Sequence, residues 1–128
     1  PKTTNRYFNY IYVRMGAHTL IHKRTEDDIW KNLFELPLVE TEKDLSEEEF
    51  LACPQFHALF AEGEVRMVRT LLRGVKHVLS HRVIYTNFYE VTLPDNSSSF
   101  SSYQRVAVED LGRYAVPRLI HAFLEKYV

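Results

Sequence analysis

A mixed α/β sandwich, with sheet packed against helix, is the fold class this sequence predicts. Two long alternating stretches, 65–79 and 82–93, read as paired strands. A closing segment repeats Val116, Leu119, Ile120, Phe123, Leu124 and Tyr127 at helical spacing. Ser46 with Glu49 three residues on marks a helix start ahead of both the paired strands and the closing segment. Strands interspersed with helices pack as layers of sheet on helix. At 128 residues the chain is about one domain, 1–128, large enough to bury a core without staples.

The elements follow in order. Tyr7 to Met15 is rich in aromatic and β-branched residues and predicts a strand. Gly16-Ala17 is a tight turn, and His18 to Lys23 is expected to pair back as a hairpin. Asp28 is placed to cap a short helical turn carrying Ile29, Trp30 and Leu33. Leu36 to Glu40 is a short strand with Pro37 near its start. Ser46 opens a helix, with Leu45 and Phe50 as a hydrophobic staple. Its acidic first turn suits the helix dipole. Pro54 interrupts, and Phe56 to Glu62 resumes as a helix ending at Gly63. In the stretch 82–93, Val83, Tyr85, Tyr89, Val91 and Leu93 share a face that only Asn87 breaks. Leu79 to His81 forms the tip between the long strands. Pro94 to Ser102 is a loop, Gln104 to Val108 a last strand and Glu109 to Tyr114 a helical turn. Pro117 falls in the first turn of the closing helix, where a missing N–H costs little.

Composition narrows the function classes. A net charge of −1 argues against a general nucleic-acid binder. The charge is uneven, however. Between Glu64 and Arg82 stand Arg66, Arg69, Arg73, Lys76 and Arg82 with Glu64 as the one carboxylate. Between Glu40 and Glu49 six carboxylates face Lys43 alone. Such a pair of segments either orients a polyanion or is a solvated strand edge. One cysteine, Cys53, rules out an internal disulfide and a four-cysteine metal or iron–sulfur site in this chain. Nothing points to an oxidising compartment. No apolar run approaches bilayer length, and no signal peptide is visible. Because the sequence begins at Pro1, it is read as part of something longer.

Several residues carry chemistry at first sight. His18/His22 and His77/His81 are each four apart, a spacing that invites a metal, but no third ligand is near in sequence and no metal site is expected. Cys53, followed by Pro54, reads as core packing, not a nucleophile. Glu47-Glu48-Glu49 is a Mg²⁺ candidate that helix capping explains more simply. Ser80, at a tip between an apolar residue and a histidine, either bonds its own backbone or reads the edge of a base.

The run His77-Val78-Leu79-Ser80-His81 resembles the His-x-Phe-Ser-His motif of MutY-type adenine DNA glycosylases, in their C-terminal domain. His22-Lys23-Arg24, followed by Asp28-Ile29-Trp30-Lys31-Asn32-Leu33-Phe34-Glu35-Leu36-Pro37, resembles that domain's Trp-x-x-Leu-(Tyr/Trp)-Glu-Phe-Pro stretch. Tyr114-Ala115-Val116-Pro117 resembles its C-terminal end. The resemblance implies a Nudix-like fold, a mixed β-sheet sandwiched between helices. It implies a domain that recognises 8-oxoguanine opposite adenine, while a separate N-terminal helix-hairpin-helix domain, carrying a [4Fe-4S] cluster, excises the adenine. Leu79, Ser80 and His81 would meet the lesion, with Leu79 as an apolar wedge where the family has phenylalanine. Arg24, Arg73, Lys76, His77 and Arg82 are the expected DNA contacts. The implied partners are double-stranded DNA with an 8-oxoguanine:adenine pair and the catalytic domain of the same polypeptide, in the bacterial cytoplasm at the nucleoid.

Two departures bear on activity. A working Nudix hydrolase carries a glycine and then an Arg-Glu-x-x-Glu-Glu helix that holds Mg²⁺; here Leu38-Val39-Glu40 and Ser46-Glu47-Glu48-Glu49-Phe50 stand in its place. Diphosphate hydrolysis is therefore not expected, and no catalytic residue or cofactor is assigned. A diverged nucleotide hydrolase and a protein-docking module remain the alternatives.

Overall fold

A computed structural model describes residues 3–128. Seven strands form two sheets. The larger runs in the order β4-β1-β6-β5 and the smaller in the order β3-β2-β7. β1 (Thr4–Arg14) lies parallel to β6 (Arg82–Thr92) along its whole length and antiparallel to β4 (Leu38–Thr41). β5 (Met67–Val78) forms the outer edge, antiparallel to β6. The smaller sheet joins β2 (His18–Lys23) to β3 (Phe34–Glu35) and β7 (Gln104–Ala107).

The central strands are buried on both faces, and each face feeds its own core. Phe8, Tyr10, Tyr12, Ile84 and Phe88 point towards the C-terminal helix α3 (Arg118–Tyr127), where Phe88 and Phe123 stack at 4.1 Å. Ile11, Val13, Tyr89 and Val91 point towards α1 (Glu47–Ala52) and α2 (Pro54–His57), where Phe50 stacks on Tyr89 at 4.6 Å. The expected sheet between helices is thus what the residues build. The single apolar face read for β6 is half the story, because Ile84, Thr86 and Phe88 bury the opposite face as well.

The expected opening hairpin does not form. Both edges of β1 are taken by β4 and β6, so β2 pairs with it only through the bridge Met15–His18 and then leaves for the second sheet. Gly16 makes that corner at φ +60°, and a Cβ there would stand 2.9 Å from Asp95 Oδ1. The α1 capping box is present: Ser46 Oγ accepts from Glu49 N at 3.1 Å, and the Glu49 carboxylate accepts from Ser46 N at 2.9 Å. Pro54 both ends α1 and starts α2, so the second helix is earlier and shorter than the 56–62 expected. The expected strand 36–40 begins only after Pro37, as β4, and a two-residue strand the sequence did not suggest, β3, precedes it.

Asn87, the polar break in β6, has a structural cause. Two register irregularities and Gly74 at φ +70° bend β5. The Gly74 N–H then donates to Asn87 Oδ1 at 2.8 Å, while Asn87 Nδ2 donates to Asn9 and Asp44. A buried amide is satisfied here by the backbone group that a bulge strands.

Asp28 caps no helix. Its carboxylate receives both Arg6 terminal nitrogens, at 2.8 and 2.9 Å, and Arg24 Nη2 at 3.0 Å. Arg6 also reaches Glu40 at 2.8 Å. The Arg6 hydrogen bonds hold the Asp28 carboxyl at about 2, below its ordinary 3.8. The Glu64 carboxyl is also held at about 2, first by the Ser97 and Ser99 hydroxyls that fold the 94–102 loop onto it. Groups lowered on folding stabilise the protein above their unfolded value, and that contribution fades as pH falls through the folded one. Stability is therefore expected to drop between pH about 4 and about 2. Asp28→Asn should flatten part of that slope in unfolding measured against pH. The part due to Glu64 should remain, and an unchanged slope would remove Asp28 from the account.

Candidate nucleic-acid interface

The β5–β6 hairpin ends in a two-residue turn. Val78 and Val83 are the last paired residues. Leu79 N donates to Arg82 O at 2.8 Å, and Arg82 N to Leu79 O at 3.4 Å, leaving Ser80 and His81 at the corner. The start of β1 braces it, since Thr4 N and Oγ1 both donate to the His81 carbonyl, at 3.0 and 3.3 Å. Ser80 and His81 are exposed, and neither side chain bonds another described residue. The backbone of the corner is thereby fixed while its hydroxyl and imidazole stay available.

Strand alternation sorts the neighbours. His77 stands opposite Ile84, on the α3 face, and its ring meets Trp30 at 6.0 Å. Leu79, read as the wedge, is half-buried and packs against the same core. The apolar side chain that projects beside the turn is Val78, 66% exposed. Lys76 stands opposite Tyr85, whose ring stacks on Tyr7 at 5.5 Å. Lys76 is exposed and Arg82 half-buried, and neither has a carboxylate partner among the described residues.

Two expected DNA contacts are already engaged within the fold. Arg24 turns inward: its guanidinium donates to both Glu35 oxygens at 3.1 Å, to Asp28 and to the Ile29 carbonyl. Glu35 is 2% exposed and needs those donors. Arg73 donates to the Tyr89 hydroxyl at 2.7 Å and the Leu45 carbonyl at 2.9 Å, tying the edge strand to the start of α1. It also links the basic and acidic segments, with Asp44 at 3.7 Å. Charge and nearness to the motifs marked both residues, and neither says what a side chain already holds.

Trp30, expected in a helical turn and within the family-like stretch, takes a different place in this region. It adopts φ +59° and Asn32 φ +70°, both in the left-handed region. Leu33 N donates to the Trp30 carbonyl at 3.0 Å, closing a turn with Lys31 and Asn32 at its corner. The Trp30 ring sits between Phe8, at 5.9 Å, and His77. The spacing Trp30–Leu33 looked helical, and only the asparagine hinted at a left-handed corner.

A cavity of about 320 Å³ lies on the same face, lined by Arg6, Arg24, Asp28, Glu35, His22 and Tyr103 among others. His22 Nε2 is 3.0 Å from Glu35 Oε2 but misaligned for a hydrogen bond. Among the described residues no group of three or more His, Cys, Asp or Glu is placed to hold a metal ion, and no helix is long and apolar enough to cross a membrane.

Residues 9–126 match the family model for the NUDIX domain. No curated protein matches the chain. Among solved structures, the C-terminal domain of mouse MUTYH, determined in complex with human PCNA, is 14% identical with a TM-score of 0.67, over 95% of this chain and 86% of that one. The MutT protein of Methanosarcina mazei is 17% identical with a TM-score of 0.61, over 98% and 94%. The Nudix hydrolase RenU of M. smegmatis is 8% identical with a TM-score of 0.60, over 98% and 84%. At these identities the likeness is one of fold.

Proposed function

The chain belongs to the NUDIX domain family, and from that premise we propose that it reads 8-oxoguanine paired with adenine in duplex DNA, for a separate domain of the same polypeptide that removes the adenine. The observation that carries this reading is the exposed corner Ser80-His81, braced by Thr4 and flanked by Lys76 and Arg82. Oxidation of guanine turns N7 from acceptor to donor and adds an acceptor at O8. A hydroxyl that both donates and accepts can meet either change. Lys76 and Arg82 are suited to phosphates, which position the duplex without specifying its sequence. The likeness of fold to the MUTYH C-terminal domain agrees with this assignment. The setting would be the cytoplasm, at the nucleoid.

The test is binding of the chain to labelled duplexes with a central 8-oxoguanine:adenine, guanine:adenine or guanine:cytosine pair. The first should bind most tightly, though weakly in absolute terms, since one small module covers less surface than specific DNA interfaces usually bury. Equal affinity for all three would end the proposal.

A second reading is a nucleotide hydrolase, favoured by the likeness of fold to MutT and RenU. On α1, Glu49 is spent on the Ser46 cap, leaving Glu47 and Glu48 exposed. Turnover of a nucleoside triphosphate with Mg²⁺, lost in Glu47→Gln or Glu48→Gln, would favour this second reading.

A further inference from the structure

We infer that the turn Lys31-Asn32 is a second DNA contact, with the Lys31 ammonium on a phosphate of the duplex that the Ser80-His81 corner engages. The inference rests on the DNA-reading assignment above and extends it to a residue on a different loop.

Three observations place the turn. Trp30 at φ +59° and Asn32 at φ +70° are both non-glycine residues in the left-handed region, within three positions. Such conformations persist only where the surroundings fix them, and they gather at binding sites. Here the surroundings do fix them. Arg24 N donates to Leu33 O and Asn32 N to Arg24 O, at 2.9 and 2.6 Å, closing the base of the loop. The Arg6–Asp28–Arg24–Glu35 ion pairs then tie that base to β1 and β3.

The Trp30 ring against His77 brings the turn beside the end of β5. Ser80 lies three residues beyond His77, at the turn that ends the hairpin and so at most about 11 Å away. The Trp30–Leu33 turn and the Ser80-His81 corner thus both adjoin the end of β5, where one stretch of DNA can meet both. Lys31 is exposed and has no carboxylate partner among the described residues. A lysine exposed at a turn whose base is held by hydrogen bonds, and without a carboxylate partner among the described residues, is suited to a phosphate.

The test compares wild type, Lys31→Gln and Arg14→Gln for duplex affinity across a salt series. Arg14 is exposed at the far end of β1 from the tip and serves as the control. Lys31→Gln should weaken binding about tenfold at 50 mM salt and lower the slope of log affinity against log salt by about 0.9, one phosphate's share. It should leave the ratio of 8-oxoguanine to guanine duplexes unchanged, and Arg14→Gln should change nothing. Wild-type preference for the lesion with Lys31→Gln indistinguishable from wild type, or no weaker than Arg14→Gln, overturns this inference alone. Binding without lesion preference, but with the Lys31 effect intact, overturns the lesion-reading assignment and keeps the contact. No binding to any duplex overturns both.

Discussion

Arg24→Ala is expected to lower the unfolding free energy by about 3–5 kcal/mol, the usual cost of removing one partner from a buried ion pair. The Glu35 side chain is only 2% exposed and that of Arg24 11%. With the guanidinium gone, Glu35 keeps the Tyr10 hydroxyl at 2.7 Å and a misaligned His22. Desolvation, aided by the Glu35 charge, already raises the Tyr10 hydroxyl well above its ordinary pKa, so Tyr10 stays a donor but adds no positive charge. Glu35 is then left buried without a cationic partner, which costs stability. Arg113→Ala is the comparison: its pair with Asp110 is 3.6 Å apart, and Arg113 is 81% exposed. Pairs so exposed contribute about 0–1 kcal/mol. The double variant Arg24→Met, Glu35→Leu should recover much of the loss, because apolar replacement of a whole buried pair is often neutral. Denaturant unfolding reads all three. A loss for Arg24→Ala no larger than that for Arg113→Ala would show that Glu35 finds compensation elsewhere.

The same residue shows where sequence reading stops. Arg24 was marked for DNA because it is a cation near a motif, yet its partner lies eleven residues away, across β2 and β3. Pairings of that range depend on the sheet order, which alternation does not encode. The β1–β2 hairpin failed for a related reason. Tyr7 to Met15 was legible as a strand, but its partners are β4 and β6, and the parallel pair with β6 bridges almost eighty residues. Signals confined to a few residues fared better. The Ser46–Glu49 box caps α1, the turn between the long strands falls at Ser80-His81, and the closing helix follows Pro117. Asp28 and Trp30 lie between these cases. Their local pattern is that of a capped helical turn. Two guanidinium groups compete for the carboxylate, and packing against Phe8 and His77 places the indole. Leu79 and Val78 differ by one position, and strand alternation sends the first inward and the second out. The motif drew attention to Leu79, whereas the register with Val83 leaves Val78 as the exposed apolar side chain beside the corner.

Under the lesion-reading assignment proposed above, Ser80→Ala is expected to narrow the preference for 8-oxoguanine over guanine opposite adenine by about 1–3 kcal/mol, the discrimination carried by a good pair of hydrogen bonds to a base edge. The fold should tolerate the change, because Ser80 is exposed and its hydroxyl bonds no other described residue. Any effect on discrimination is then an effect on contact. The predicted pattern is specific: affinity for the guanine:adenine duplex stays near wild type, and affinity for the lesion duplex falls towards it. Ser80→Thr keeps the donor and acceptor and should retain part of the preference. Val78→Ala should instead weaken both duplexes alike, since an apolar side chain beside the turn offers contact area without a hydrogen-bonding code. Discrimination left intact by Ser80→Ala would move the reading of the lesion to another group. His81 is then the next to test, for its imidazole is the other free polar side chain on the corner that Thr4 holds in place.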